Sequence, residues 1–543
     1  MSARDAVAAA RPTDPPRTPL ASLATTVGAE ATSDVEVTGI TLATSRVLPG
    51  DLFAALPGTR AHGADYAGQA LAAGAVAVLT DPAGADRLDA SVPRLVVPDP
   101  RRVLGRVSAA VYGDPASRLR TIGVTGTQGK TTTTRLLEGG LERAGVRSAV
   151  VGTVGTRVAG TDVATSLTTP EAPDLHALFA LMVERGVEVC AMEVSSHALV
   201  LGRVDGVVFD LAVFLNLGHD HLDFHTDVED YFAAKASLFT PERARRALVN
   251  LDDAHGRRLL GETTLPTATF SSTDAHSDTD ADWCVEEVAA SPSRSDFTVR
   301  GPEQVTVRAG VPLAGDFNVA NALAGVAAAG ECGLDTAAVA AGISALPGVP
   351  GRLESVVAGQ PFEVVVDYAH KPEAVEAALG ALRPLTTGRL LVVLGAGGDR
   401  DTAKRPLMGA SAARLADVLV VTDDNPRTED PASIRAAVRA GAEQVPQEQR
   451  AEVLEVGDRR AAVEAALRRA RPGDIVLVAG KGHETGQEVA GVVHPFDDRV
   501  VAADLVASLG LDARPEGQVR NNAGRDGAAE GVAPRERTEE DER

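Results

Sequence analysis

Residues 119–137 read LRTIGVTGTQGKTTTTRLL: a β-branched apolar run, a loop with Gly123, Gly126 and Gly129 spaced by three, then a stretch that can open a helix. A strand that passes through a glycine-rich turn into a helix aims backbone N–H groups at a phosphate. Lys130 stands beside them, and the Thr131 hydroxyl suits Mg2+. A strict phosphate loop wants glycine at 124, where this chain has Val124, so the loop is a shorter variant. The residues predicted to cradle the nucleotide are Gly126, Thr127, Gly129, Lys130, Thr131 and Thr132. Strand-like runs recur at VEVCAMEV (187–194), DLAVFLNL (210–217) and RALVNL (246–251), which predicts a parallel-sheet ATPase core.

Working outward, short valine-rich runs between 35 and 98 alternate with Ala-rich helical stretches such as YAGQALAAG (66–74), the pattern of a small α/β domain. Beyond the Pro/Gly junction LPGVPGRLE (346–354), the strands FEVVVDYA, RLLVVLGAG, ADVLVVTDD and DIVLVAGKG alternate with helices, predicting a second doubly wound sheet. The expected division is 1–34 as a disordered tail and lead-in, 35–117, 118–350 and 351–511 as three α/β domains, and 512–543 as a disordered tail.

At 543 residues the chain has room for three or four domains. Its 44% hydrophobic and 24% charged residues are those of a globular protein, and with aromatics at 3% the cores must be aliphatic. A net charge of −22 repels nucleic acid and anionic membranes. No apolar run approaches a membrane span and the start lacks a signal-like apolar stretch, so a cytoplasmic protein is expected. Cys190, Cys284 and Cys332 show no metal or disulfide spacing. The chain holds only five lysines, Lys130, Lys235, Lys371, Lys404 and Lys481, against forty-eight arginines. Where a generic cation would do, arginine is used; the lysines mark places that need a compact, deprotonatable amine.

Glu193 follows an apolar strand at the end where open sheets bind ligands. Asp220, His221, Asp223 and His225 crowd six residues after another strand, a grouping suited to a metal. Lys235 shares a helix face with Tyr231 and Leu238. Four C-terminal strand ends present Asp367, Tyr368, His370 and Lys371; Arg400, Lys404 and Arg405; Asn425 with Arg427; and Gly480, Lys481, His483 and Glu484. Together they predict the mouth of a ligand site, with the Arg427 fork matched to a carboxylate.

The motifs TGTQGKTTT, TTPEAPDL, EVSSHAL, NLGHDHLDFH, YFAAKASLF, GDFNVANALAG, GRLE, VDYAHKP, GGDRDTAKRPLMG, DNPRTE and AGKGHE resemble those of the Mur ligases, the ATP-dependent amide-forming enzymes of peptidoglycan precursor synthesis. The resemblance covers about residues 35–510 and implies a UDP-binding N-terminal domain, a central ATPase domain and a Rossmann-like C-terminal domain. DNPR is the family pattern associated with adding diaminopimelate rather than lysine. The implied reaction joins meso-diaminopimelate to UDP-N-acetylmuramoyl-L-alanyl-D-glutamate through an acyl phosphate. The implied cofactors are two Mg2+ ions and a CO2-derived carbamate on Lys235, and a monomer is expected.

The resemblance further implies that Thr131, Glu193, His221 and carbamylated Lys235 hold metal, and that Asn318, Arg352, Asp367 and His370 surround the nucleotide. Ser45, Thr168, Thr169, Ser195 and Arg203 match positions for the UDP substrate, and Arg400, Asp424, Asn425, Arg427, Gly480 and Glu484 those for the incoming amino acid. Lysine addition, a folylpolyglutamate synthase-like ligase, and a non-ligase ATPase that binds UDP-sugars stay open as alternatives.

Overall fold

The structure, a computed structural model, describes residues 3–218, 220–221, 224–273 and 280–511. Its centre is an eleven-stranded sheet in the order Thr161–Val163, Thr156–Val158, Ser148–Val151, Val189–Glu193, Arg120–Thr125, Leu211–Phe214, Ala247–Asn250, Thr267–Ser271, Trp283–Ala290, Ser295–Arg300 and Thr306–Val311. From Ser148–Val151 to Trp283–Ala290 the strands pair in parallel. Buried on both faces, they carry near-continuous Val, Leu and Ala. The helix Lys130–Arg143 crosses the helix Thr336–Ser344 closely because Gly140 lacks a side chain: a Cβ there would stand 2.7 Å from Ile343 Cγ1 and 3.0 Å from the Val339 carbonyl.

The C-terminal sheet runs Glu354–Ser355, Glu363–Asp367, Ile475–Ala479, Leu390–Leu394, Val418–Val421 and Glu452–Glu455, parallel except for its first strand. Because Ile475–Ala479 inserts between Glu363–Asp367 and Leu390–Leu394, the order reverses there, and the crevice beyond those strand ends is where such sheets bind ligands. A small hairpin, Gly486–Val489 with Val492–Pro495, follows the last central strand.

The N-terminal sheet, Gly39–Thr41, Asp51–Ala54, Ala77–Thr80 and Arg94–Val96, is wholly parallel. Its core is continuous with Ala172, Ala177 and Ala180 of the central helix Ala172–Glu184, so these two parts share apolar contact.

The expected disorder of the first 34 residues is corrected. A helix Ala3–Ala9 buries Val7, and Leu20–Val27 forms another helix that buries Leu20 and Leu23. Between them Arg11 donates to Asp51 Oδ1 at 2.6 Å in a buried ion pair. Gly39 permits that approach, since a Cβ there would lie 2.2 Å from Asp51 Oδ1. The expected C-terminal tail, 512–543, lies outside the described residues.

Candidate functional site

The chain leaves strand Arg120–Thr125 and enters helix Lys130–Arg143 through Gly129, whose φ is +85°. A Cβ at Gly129 would come 2.3 Å from Asn321 Oδ1, so a side chain is excluded by space as well as by backbone. Asn216 Oδ1 accepts from the N–H groups of Thr127 and Gln128 at 3.0 and 2.9 Å, tying the loop to the neighbouring strand end. Lys130 Nζ donates to the Gly126 and Thr127 carbonyls at 2.6 and 3.1 Å, and burial lowers its pKa.

Lys235, on helix Val228–Ala236, lies beneath the same loop. Its amine donates to the Gly126 carbonyl at 2.9 Å and stands 4.5 Å from the centre of the Tyr231 ring. At 1% exposure, burial first and the charge of Lys130 second hold its pKa well below the ordinary ammonium value. The environment favours the uncharged amine.

Above the loop opens a cleft of about 590 Å³ between the central and C-terminal sheets. Thr127, Gly129, Lys130, Thr131, Thr132, Glu193, Asn318, Arg352, Asp367 and His370 line it, as do His221, Thr168, Ser195 and Arg203. Two contacts join its walls: Arg352 donates to Thr131 Oγ1 at 3.3 Å, and Lys371 Nζ donates to Asp220 Oδ1 at 2.5 Å. Asn318 donates to the Ala314 carbonyl at 2.7 Å and accepts from Asn321 at 3.2 Å.

Glu193 is buried, and its two oxygens accept from the Thr153 N–H and hydroxyl at 2.7 and 3.1 Å. His221 adopts φ +56°, and burial above all pushes its pKa down to about 4. It therefore presents a neutral imidazole at pH 7, the form that ligates metal. Of Asp220, His221, Asp223 and His225, the first two line the cleft and His225 does not. His225 turns inward to Ser196 Oγ at 2.9 Å and Asp230 at 3.3 Å. Asp223 lies outside the described residues, among which no three His, Cys, Asp or Glu converge as a metal site.

Thr169 is buried and bonds the Glu193 carbonyl at 2.8 Å, while Arg203 pairs with Glu171 at 2.8 Å. Ser45 lies apart from the main cleft, lining a second hollow of about 460 Å³ whose wall shares Leu167 with it. Asp367 spends its oxygens on the N–H groups of Leu353 and Ala369, at 2.7 and 2.8 Å, so it braces the loops around it. His370 Nδ1–H donates to the Tyr368 carbonyl at 2.7 Å, and its pKa is pushed down to about 4 by burial.

The six residues matched to the amino acid are outside that cleft lining. Asn425 donates to Glu484 Oε2 at 2.9 Å, and Lys481 donates to both Asn425 Oδ1 and Glu484 at 3.0 and 3.2 Å. Gly480 lets Asp424 approach: a Cβ there would meet Asp424 Oδ2 at 2.5 Å. Among the described residues that Asp424 oxygen is buried without a hydrogen-bond partner, with Arg459 Nη1 3.9 Å away. Arg427 donates to the Gly398 carbonyl at 2.6 Å, and Arg400 is exposed. The sequence reading missed Thr153, Asn216 and Asn321; only their three-dimensional neighbours reveal them.

Comparison with known proteins agrees across the three large sheets. The family descriptions that match are "Mur ligase family, catalytic domain" over 36–112, "Mur ligase middle domain" over 124–329 and "Mur ligase, glutamate ligase domain" over 351–482. Proteins named UDP-N-acetylmuramoyl-L-alanyl-D-glutamate--2,6-diaminopimelate ligase are similar at 57% identity in Streptomyces avermitilis, covering 91% of this chain and 98% of the relative. The one from Corynebacterium glutamicum is 50% identical over 87% of this chain and 92% of its own. A solved structure with that name superposes with a TM-score of 0.65 at 32% identity, covering 91% of this chain and 100% of the other. By its matched domains and by these full-length relatives, the chain belongs to the Mur ligase family.

Proposed function

We propose that the chain is an ATP-dependent ligase that joins meso-diaminopimelate to the D-glutamyl γ-carboxylate of UDP-N-acetylmuramoyl-L-alanyl-D-glutamate, in the cytoplasm. The observation that carries this reading is the two-walled cleft. A phosphate loop on one side faces the strand-end loops of a second sheet on the other, bridged by Arg352–Thr131 and Lys371–Asp220. The names of the 57% and 50% identical relatives support the substrates.

The γ-phosphoryl group of ATP passes to the substrate carboxylate, giving an acyl phosphate and ADP. The amine of diaminopimelate then attacks that carbonyl, and phosphate leaves. The loop N–H groups and Lys130 neutralise charge on the transferring phosphoryl. Thr131, Glu193, His221 and a carbamate on Lys235 would hold Mg2+, which supplies further positive charge to the phosphoryl oxygens. The donor set fits: His221 is neutral, Glu193 keeps lone pairs beyond its Thr153 bonds, and Lys235 favours the free amine that reacts with CO2. Asn318, Arg352 and His370 receive the nucleotide, with Asp367 bracing them.

Thr168, Ser195 and Arg203 in the cleft, Thr169 behind them, and Ser45 in the adjoining hollow hold the UDP substrate. The Asp424 oxygen, free of hydrogen bonds among the described residues and 3.9 Å from Arg459 Nη1, suits a substrate ammonium, and Arg427 a substrate carboxylate. Arg400, Asn425, Gly480 and Glu484 complete that end. The domain boundaries are proposed at 117/118 and 350/351.

Phosphate release from ATP, measured with the UDP-muramoyl dipeptide and with no amino acid, L-lysine or meso-diaminopimelate, tests the reading. Release dependent on diaminopimelate supports it, and release with lysine alone overturns it.

A further inference from the structure

The loop that carries Arg427 is bound to the hairpin Gly486–Val489/Val492–Pro495. Arg427 sits at φ +53° and forms a parallel bridge with Val489. Its N–H donates to the Glu488 carbonyl at 3.0 Å, and its own carbonyl accepts from Ala490 at 2.6 Å. The Glu488 N–H goes to Asn425 Oδ1 at 3.0 Å, and Gln487 Nε2 to the Asp424 carbonyl at 2.7 Å. Backbone pairing at Arg427 and side-chain bonds at Asp424 and Asn425 thus hold the hairpin residues Gln487, Glu488 and Ala490 against the 424–427 loop. They also set side chain on side chain: Arg427 Nε is 3.5 Å from Glu488 Oε2, with the two side chains 25% and 37% exposed.

We propose that Glu488 is a specificity-determining residue: it pairs with the Arg427 guanidinium in the resting enzyme and yields that position to the side-chain carboxylate of the incoming amino acid. This rests on the reading of Arg427 as the carboxylate-binding residue. A second anion brought to one guanidinium meets repulsion from the first, so Glu488 and the substrate carboxylate compete. The pair is half-exposed and long, hence weak, which is what allows displacement. Glu488 also gives Arg427, whose Nη1 keeps the Gly398 carbonyl, an anionic partner whenever no substrate carboxylate is present. An amino acid ending in an ammonium alone leaves Glu488 in place, so the guanidinium it fails to pair is already satisfied. Glu488 therefore trades some affinity for the right substrate against a stable resting loop, and it sets how much selectivity Arg427 delivers.

Glu488→Gln keeps the length and the hairpin backbone while removing the charge. Steady-state KM values for meso-diaminopimelate and ATP would be measured in wild type, Glu488→Gln, Arg427→Ala and the double variant. The expected result is a KM for diaminopimelate lowered about two- to fivefold by Glu488→Gln, with the KM for ATP unmoved. That gain should disappear in the Arg427→Ala background. An unchanged KM, a raised KM, which would make Glu488 a direct ligand of the substrate ammonium, or a gain that persists without Arg427 each overturns the proposal. Should glutamine disturb the hairpin, seen as a lower Tm, Glu488→Thr repeats the test with a neutral strand-forming residue. If Arg427→Ala leaves the KM for diaminopimelate unmoved, the assignment of Arg427 itself fails, a result separate from a flat response to Glu488→Gln alone.

Discussion

Replacing Lys235 by methionine separates a chemical role of its amine from a structural one. The side chain is 1% exposed, and its only hydrogen bond among the described residues is the 2.9 Å one to the Gly126 carbonyl. That carbonyl also accepts from Lys130 at 2.6 Å, so it stays paired when Lys235 is lost. Losing one neutral hydrogen bond whose acceptor keeps another partner costs about 1 kcal/mol or less, and methionine fills nearly the same volume without burying an amine. Folding stability should therefore move little. Activity should fall by about 10²- to 10³-fold or more, the effect of deleting one preorganised group at a developing charge, because no carbamate can form. Phosphate release gives the rate, urea unfolding gives the stability, and a carbon-13 carbamate resonance after incubating wild type with labelled bicarbonate reports the modification. Turnover of the methionine variant within tenfold of wild type would refute the reasoning, as would a wild-type spectrum with no carbamate signal.

Arg427→Ala should raise the KM for diaminopimelate about ten- to thirtyfold and leave that for ATP unmoved, somewhat less than a bidentate charged contact is worth because Glu488 exchanges with the substrate; an equal change in both KM values points to a role in folding the turn. Arg11→Ala strands the buried carboxylate of Asp51 and should cost about 3–5 kcal/mol in urea unfolding, much of it restored by Arg11→Met combined with Asp51→Leu. His176 is buried, and burial pushes its pKa down to about 4. The unfolded histidine takes up a proton below about 6.5 while the folded one resists until about 4, so stability falls as pH drops through that window. Between pH 7 and 5 the loss is about 2 kcal/mol, and His176→Gln should flatten the pH dependence of the urea midpoint by that amount.

What the sequence could show was whatever is written locally. The strand, glycine loop and helix of residues 119–137 are contiguous, and so are the apolar runs whose ends carry the C-terminal loops. The N-terminal helix escaped notice because its anchor is not local: Arg11 pairs with Asp51, forty residues away, and seven Ala-rich residues hold no long amphipathic repeat. The hairpin 486–495 was equally hidden. None of its strand positions is buried, so there is no alternation of apolar and polar residues to read. His221 and His225 looked like one site because they are four apart. The left-handed turn at His221 separates them, one to the cleft and one to the core.

The scarcity of lysine proves to be the most informative feature of composition, and the structure gives its physical reason. Lys130 bonds two loop carbonyls, Lys235 lies beneath them, Lys371 reaches Asp220 across the cleft, Lys404 donates to the His370 carbonyl at 2.9 Å, and Lys481 joins Asn425 to Glu484. Not one of the five is exposed. Lys130 and Lys481 each meet two oxygens and Lys235, Lys371 and Lys404 one each, all in confined space that a compact ammonium enters more readily than a planar fork. Burial lowers the pKa of Lys130, Lys235 and Lys404, a response that guanidinium, charged at every accessible pH, cannot give. Exposed sites impose neither demand, so arginine serves there, pairing with the abundant surface carboxylates as Arg258 does with Glu229 and Glu262. Substituting arginine at Lys481, which is wholly buried, should therefore disrupt the Asn425–Glu484 contacts even though the charge is kept. A KM for diaminopimelate equal to wild type in Lys481→Arg would show that charge alone, and not the shape of the donor, had placed lysine there.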